Sequence, residues 1–170
     1  MFTIGREREK EHSHQYLKSQ NEAWRIEAVI DAVHDVLEGA RQAHEVAPVF
    51  VEAFTDGGSG VWEQTGSWLC KLSRVQPGLG RLWREFCSHP SAKVRFRAAA
   101  FLDDMHPEVF AECFPALLAD ASTRVRSKAA SDRYQSKAPE VRDALAARLV
   151  IETDDSVKDA INFALDYERP

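Results

Sequence analysis

Apolar positions along this chain recur at helical spacing, and the strict alternation of a half-buried strand is nowhere sustained. Residues 21–44 carry Trp24, Ile26, Val29, Ile30, Val33, Leu37 and Ala40, spaced as one stripe of a long helix. Beyond it the pattern repeats. Val61, Val94, Val125 and Val157 each follow a short polar loop, at spacings of 33, 31 and 32 residues. Four and eight positions after them stand Thr65 and Leu69, Ala98 and Leu102, Ala129 and Arg133, Ile161 and Leu165, one helical face with a polar exception at Arg133. Before each loop lies a shorter apolar stretch: Val49 to Phe54, Leu79 to Phe86, Val109 to Leu118, and Val141 to Val150. The pattern predicts four helix–loop–helix units at about 46–74, 78–105, 107–135 and 138–167. Pro48, Pro77, Pro90, Pro107 and Pro139 fall at or near the predicted helix starts, where a missing N–H costs nothing, whereas Pro115 lies inside a helix and is expected to kink it.

Within these units, Phe114-Pro115-Ala-Leu117-Leu118-Ala-Asp120 followed by Val125-Arg126-Ser-Lys-Ala129-Ala130 resembles a HEAT repeat, and His89 to Leu102 resembles a second copy without the loop aspartate. The resemblance covers about residues 46–167. The first copy departs from it with Trp62 in place of arginine, and the last with Glu152 and Lys158. It implies an all-α fold, an α-solenoid of about four antiparallel helix pairs, often used as a binding scaffold. One helix pair cannot bury its apolar face alone, whereas stacked pairs share a continuous core. Residues 21–44 then read as an N-terminal cap helix, with a dimerising helix as the rival. Residues 1–20, charged on all sides, read as a frayed, solvated or helical leader ahead of one domain spanning 21–170.

Composition narrows the function. At 170 residues, 44% apolar and 29% charged, the chain has the make-up of a globular domain able to bury a core without disulfides or metals. No apolar run reaches the ~18 residues of a membrane span, and the first ten residues form no signal-like apolar stretch, so a cytoplasmic protein without membrane attachment is expected. Cys70, Cys87 and Cys113 share no Cys-x-x-Cys spacing and read as reduced core thiols; the six histidines form no metal-ligand set, and no cofactor is expected. The net charge of −5 is unevenly spread: −4 over 1–78, +3 over 79–149 and −4 over 150–170. That is a poor footprint for nucleic acid and a better one for a protein partner.

No converging set of catalytic groups is legible. Gly57-Gly58-Ser59-Gly60 lacks the Lys-Ser/Thr of a phosphate loop, and Asp103-Asp104 and Asp154-Asp155 are adjacent pairs whose side chains diverge on a helix. Two columns on the second helices remain as the candidate partner-binding face. Gln64, Arg97 and Lys128 stand three after their valines; Trp68, Phe101 and Asp132 stand seven after. Val61, Val94, Asp120, Val125, Arg126 and Val157 are expected to be structural, with Arg126 near the loop of Asp120. The expectation is a non-enzymatic, monomeric protein-binding module. Its most concrete form is a bacterial immunity protein or antitoxin that neutralises a toxin enzyme. The alternative is a DNA-binding enzyme resembling the HEAT-repeat alkylpurine DNA glycosylases, prompted by Trp62, Trp68, Trp83 and the Arg-rich middle.

Overall fold

Helix-forming residues at 3.6-residue spacing, punctuated by Gly, Pro and Ser-rich loops, yield an all-helical chain. The computed structural model describes residues 4–131 and 138–166. Among them are ten α-helices and no strand: α1 (Arg6–His14), α2 (Ala23–Leu37), α3 (Ala43–Asp56), α4 (Val61–Ser73), α5 (Arg81–Cys87), α6 (Ala92–Ala99), α7 (Pro107–Leu118), α8 (Thr123–Ala130), α9 (Pro139–Ile151) and α10 (Asp155–Asp166). The contacts divide the chain into two compact units, Met1–Leu82 and Trp83–Pro170.

In Met1–Leu82, α2 packs on α1, α3 and α4, and α3 packs on α4. Ile26, Val29, Ile30 and Val33 of α2 are fully buried, as are Phe50, Phe54 and Leu69, each contributing about 1.5–3 kcal/mol of transfer free energy. The long helix expected over 21–44 stops at Leu37. Gly39 takes φ 75°, its N–H bonds Val36 O at 3.2 Å, and Ala40 N–H bonds Asp35 O at 2.8 Å, a glycine-terminated helix end that consumes the last carbonyls. Trp24, placed in the buried stripe by spacing alone, is 52% exposed, with the Arg25 guanidinium 4.5 Å from its ring centre. A new helix begins at Ala43, where Glu45 Oε2 accepts the Gln42 N–H at 2.6 Å. Pro48 therefore lies inside α3 rather than at its start.

The charged leader also contains structure. α1 buries only Glu9 and Ser13, neither of them apolar. It is held to α2 and the residue after it by ion pairs, Arg6 on Asp35 (2.9 Å) and Glu38 (3.1 Å) and Lys10 on Asp31 (2.7 Å), and by two histidine–carboxylate contacts, His14 to Glu27 at 2.8 Å and the buried His34 Nε2 to Glu9 Oε2 at 2.7 Å.

In Trp83–Pro170, α7 packs on α8, α9 on α10, and α8 lies against both α6 and α10. Val94, Val125 and Val157 anchor α6, α8 and α10 and are buried, as Val61 is in α4. One arginine arrangement occurs twice. Arg95 Nη1 donates to His89 O and Pro90 O, its own loop, while Nε and Nη2 take the Asp120 carboxylate at 2.5 and 3.0 Å. Arg126 Nη1 likewise donates to Asp120 O and Ala121 O, while Nε and Nη2 take Glu152 at 2.8 and 2.9 Å. Each guanidinium ties its own loop to the next one, a bidentate geometry that lysine cannot reproduce. Lys158 instead pairs with Asp155 of its own helix.

The loops share a second feature. The N–H three residues before each valine is accepted by a side chain: Ser91 by His89 Nδ1, Ser122 by Asp120 Oδ1, Asp154 by Glu152 Oε1. In the first loop the equivalent Gly58 N–H is taken by Glu22, at 3.0 and 3.2 Å. α7 runs unbroken through Pro115, which is exposed. α9 buries Val141 and Leu145 but leaves Val150 and Ile151 exposed.

Candidate binding groove

Of the six residues in the two columns, the structure brings Gln64 and Trp68 to one open groove, of about 330 Å³, within Met1–Leu82. α4 supplies one wall with Glu63, Gln64, Ser67, Trp68 and Lys71; the end of α1 and the turn after it supply the other with His12, Ser13 and Tyr16. Residues 64, 68 and 71 lie at i, i+4 and i+7 of α4, so one helix face presents all three side chains. The amide of Gln64 reaches across, Nε2 donating to Ser13 O at 3.1 Å. Tyr16 and His12 meet edge to face at 5.2 Å, with Tyr16 Oη 3.3 Å from His12 Nε2. Lys71 Nζ stands 4.7 Å over the Trp68 ring, a cation–π contact at a half-buried surface.

Glycines set the floor. Gly60 has φ 91°, and a Cβ there would collide with the carbonyl oxygen of Tyr16, so the turn after α1 seats directly on the start of α4. At Gly58 a Cβ would strike the Glu22 carboxylate. The Gly57–Gly60 run is thus a seat for the chain's own turn and its own carboxylate, which accounts for glycines that a phosphate loop would otherwise explain.

The other column residues lie elsewhere. Arg97 is 4% exposed and Phe101 8% exposed, with Phe101 packed 5.4 Å from the Trp83 ring, so neither offers an accessible face. For Phe101 the reason is the length of α6. It ends at Ala99, eight residues long, and a 3₁₀ turn at Leu102–Asp104 follows, so the seventh position after Val94 no longer obeys helical rotation. Lys128 is half-buried on α8, and Asp132 lies outside the described residues. Sequence reasoning missed His12 and Tyr16, whose segment carries no apolar period. Gly58 and Gly60 were the available signal.

A second, smaller cavity of about 150 Å³ lies in Trp83–Pro170 among Ala92, Lys93, Phe96, Ser122 and Arg124, the Arg124 guanidinium resting 5.0 Å over Phe96. Electrostatics in that unit centre on the loops. Glu152 is held well below the usual carboxylate range, first by the Arg126 hydrogen bonds and then, against the cost of burial, by Arg148 and the N–H groups of Asp154 and Thr153. Burial pushes Asp120 up, but Arg95, the Ser122 N–H and the charge of Arg126 outweigh it and leave the carboxyl lowered. Cys70, Cys87 and Cys113 are buried thiols. Among the described residues no group of three or more His, Cys, Asp or Glu gathers as metal ligands, and no helix is long and apolar enough to cross a membrane. Comparison with protein-family models, with curated proteins and with solved structures returns no match for this chain.

Proposed function

We propose that the chain is a non-catalytic protein-binding module of HEAT-like helix pairs, and that the groove between α1 and α4 receives its partner. The observation that carries this reading is the composition of the groove: Trp68 and Tyr16 offer aromatic surface beside the amide of Gln64 and the hydroxyl of Ser67. Interface anchors are enriched in Trp and Tyr, which bring large contact area at little cost in rotamer entropy. The net charge of −5 favours encounter with a basic partner. The most concrete form is an immunity protein or antitoxin that occludes a toxin enzyme, so the partner would be a small protein produced in the same cell.

The test pairs affinity capture from native cells with a variant. Trp68→Ala should lose a partner that the wild-type chain retains, weakening its affinity by about 2 kcal/mol or more if Trp68 is an anchor; Arg124→Glu, in the other unit, should keep it. An identical set of captured proteins for wild type and Trp68→Ala would sink the reading. The glycosylase-like alternative predicts duplex DNA binding at low salt, with a salt slope that falls by about one for each phosphate contact removed.

A further inference from the structure

Cys87 closes α5 and Cys113 sits in the middle of α7, 6% and 3% exposed respectively, and both are thiols. Their separation follows from helix geometry. Cys113 Sγ lies 3.9 Å from the carbonyl oxygen of Trp83. In an α-helix the carbonyl of residue 83 points at the amide of residue 87, so the Cys113 sulfur stands beside Cys87. Arg84, one turn before Cys87, grips Glu112, the neighbour of Cys113, through two guanidinium nitrogens, so a second bridge fixes the same two helices around the sulfurs.

The pair is asymmetric. The neighbouring Cys113 sulfur, and then burial, push the Cys87 thiol up. The neighbouring Cys87 thiol holds Cys113 below its usual range despite burial, with the Arg84 charge assisting and the Glu112 charge opposing. Two sulfurs held side by side place a nucleophile next to its resolving partner.

We propose that Cys87 and Cys113 are a reversible disulfide pair, closed by a small thiol oxidant of the peroxide class. The Cys113 sulfur attacks one peroxide oxygen, the O–O bond breaks, and the departing hydroxide takes up the Cys113 thiol proton and leaves as the first water, so that Cys113 becomes a sulfenic acid. Cys87 sulfur then attacks the Cys113 sulfur, expelling hydroxide, and its proton completes the second water. Two thiols and one hydrogen peroxide give one disulfide and two waters, the sulfurs losing two electrons and the peroxide gaining them. The closed bond staples α5 to α7 and removes conformations from the unfolded chain between them.

Intact-mass and non-reducing peptide analysis of the full chain after millimolar hydrogen peroxide tests this. The expected product is about 2 Da lighter, carries one cross-linked peptide joining Cys87 to Cys113, melts several degrees higher than the reduced protein, and reverts with dithiothreitol. Cys87→Ser should stop at a Cys113 sulfenic acid that reacts with dimedone, because the resolving thiol is gone. Recovery of Cys87 and Cys113 as alkylatable thiols, or a cross-link through Cys70 instead, would overturn the proposal. The wild-type result decides even if a serine variant folds poorly.

Discussion

Glu152 has a side chain with no solvent exposure, and it accepts hydrogen bonds from Arg126, Arg148 and the backbone of Thr153 and Asp154. Removing the charge from such a cluster leaves a buried guanidinium facing a neutral group, the costly half of a broken buried pair. Glu152→Gln should therefore lower stability at pH 7 by about 3 kcal/mol, read by urea unfolding. The sign with pH is fixed by the lowered carboxyl: its contribution is fully present above the unfolded carboxylate value of about 4.3 and is lost as pH falls below it. The gap between wild type and variant should thus narrow from about pH 4 downward; a gap independent of pH would contradict the account. At this scale the sequence was informative where chemistry is local. The anchoring valines are buried as their spacing requires, and Arg126 reaches the Asp120 loop through its carbonyls. The carboxylate it grips, however, belongs to Glu152, since Asp120 is already taken by Arg95. Spacing along the chain shows which residues share a face; it does not show which of two acids a long side chain selects.

α1 shows the same limit for an element. Nothing in Arg6–His14 repeats as an apolar stripe, so a helix anchored by Arg6, Glu9, Lys10 and His14 is invisible to hydrophobic periodicity. Held by partly exposed ion pairs, α1 should respond to salt, because the screening length falls from about 10 Å at 0.1 M to about 3 Å at 1 M. Amide exchange across 6–14 should accelerate about tenfold or more between these concentrations while the core of α2 keeps its protection; equal protection at both would show that α1 docks by some other means. His34→Ala, which leaves Glu9 buried without its imidazole, should release α1 even at 0.1 M. Element ends were legible only where the decisive residue was weighed. Gly39 stops α2 by taking a left-handed conformation, a signal present in the sequence but overridden by the apolar stripe running to Ala40. α6, at eight residues, is too short to carry the seventh-position column, which is why Phe101 joins the core instead of the surface.

For the whole molecule, the helical class was fully legible, because a packed helix writes its period into the sequence. The division into Met1–Leu82 and Trp83–Pro170 was not, since the four repeated segments look alike across it. Of the residues that line the candidate groove, the sequence reading named only Gln64 and Trp68 on α4, while the facing wall of His12, Ser13 and Tyr16 depends on a charged helix folding back onto α2. The proposed role as a partner-binding module therefore rests on two chain segments far apart in sequence acting as one surface. Hydrogen–deuterium exchange of the full chain, alone and saturated with the partner recovered by capture, tests this most directly. The expected footprint is slowed exchange confined to residues 10–17 and 60–72; protection that instead maps to α6, α8 and α10, with α1 and α4 unchanged, would contradict it.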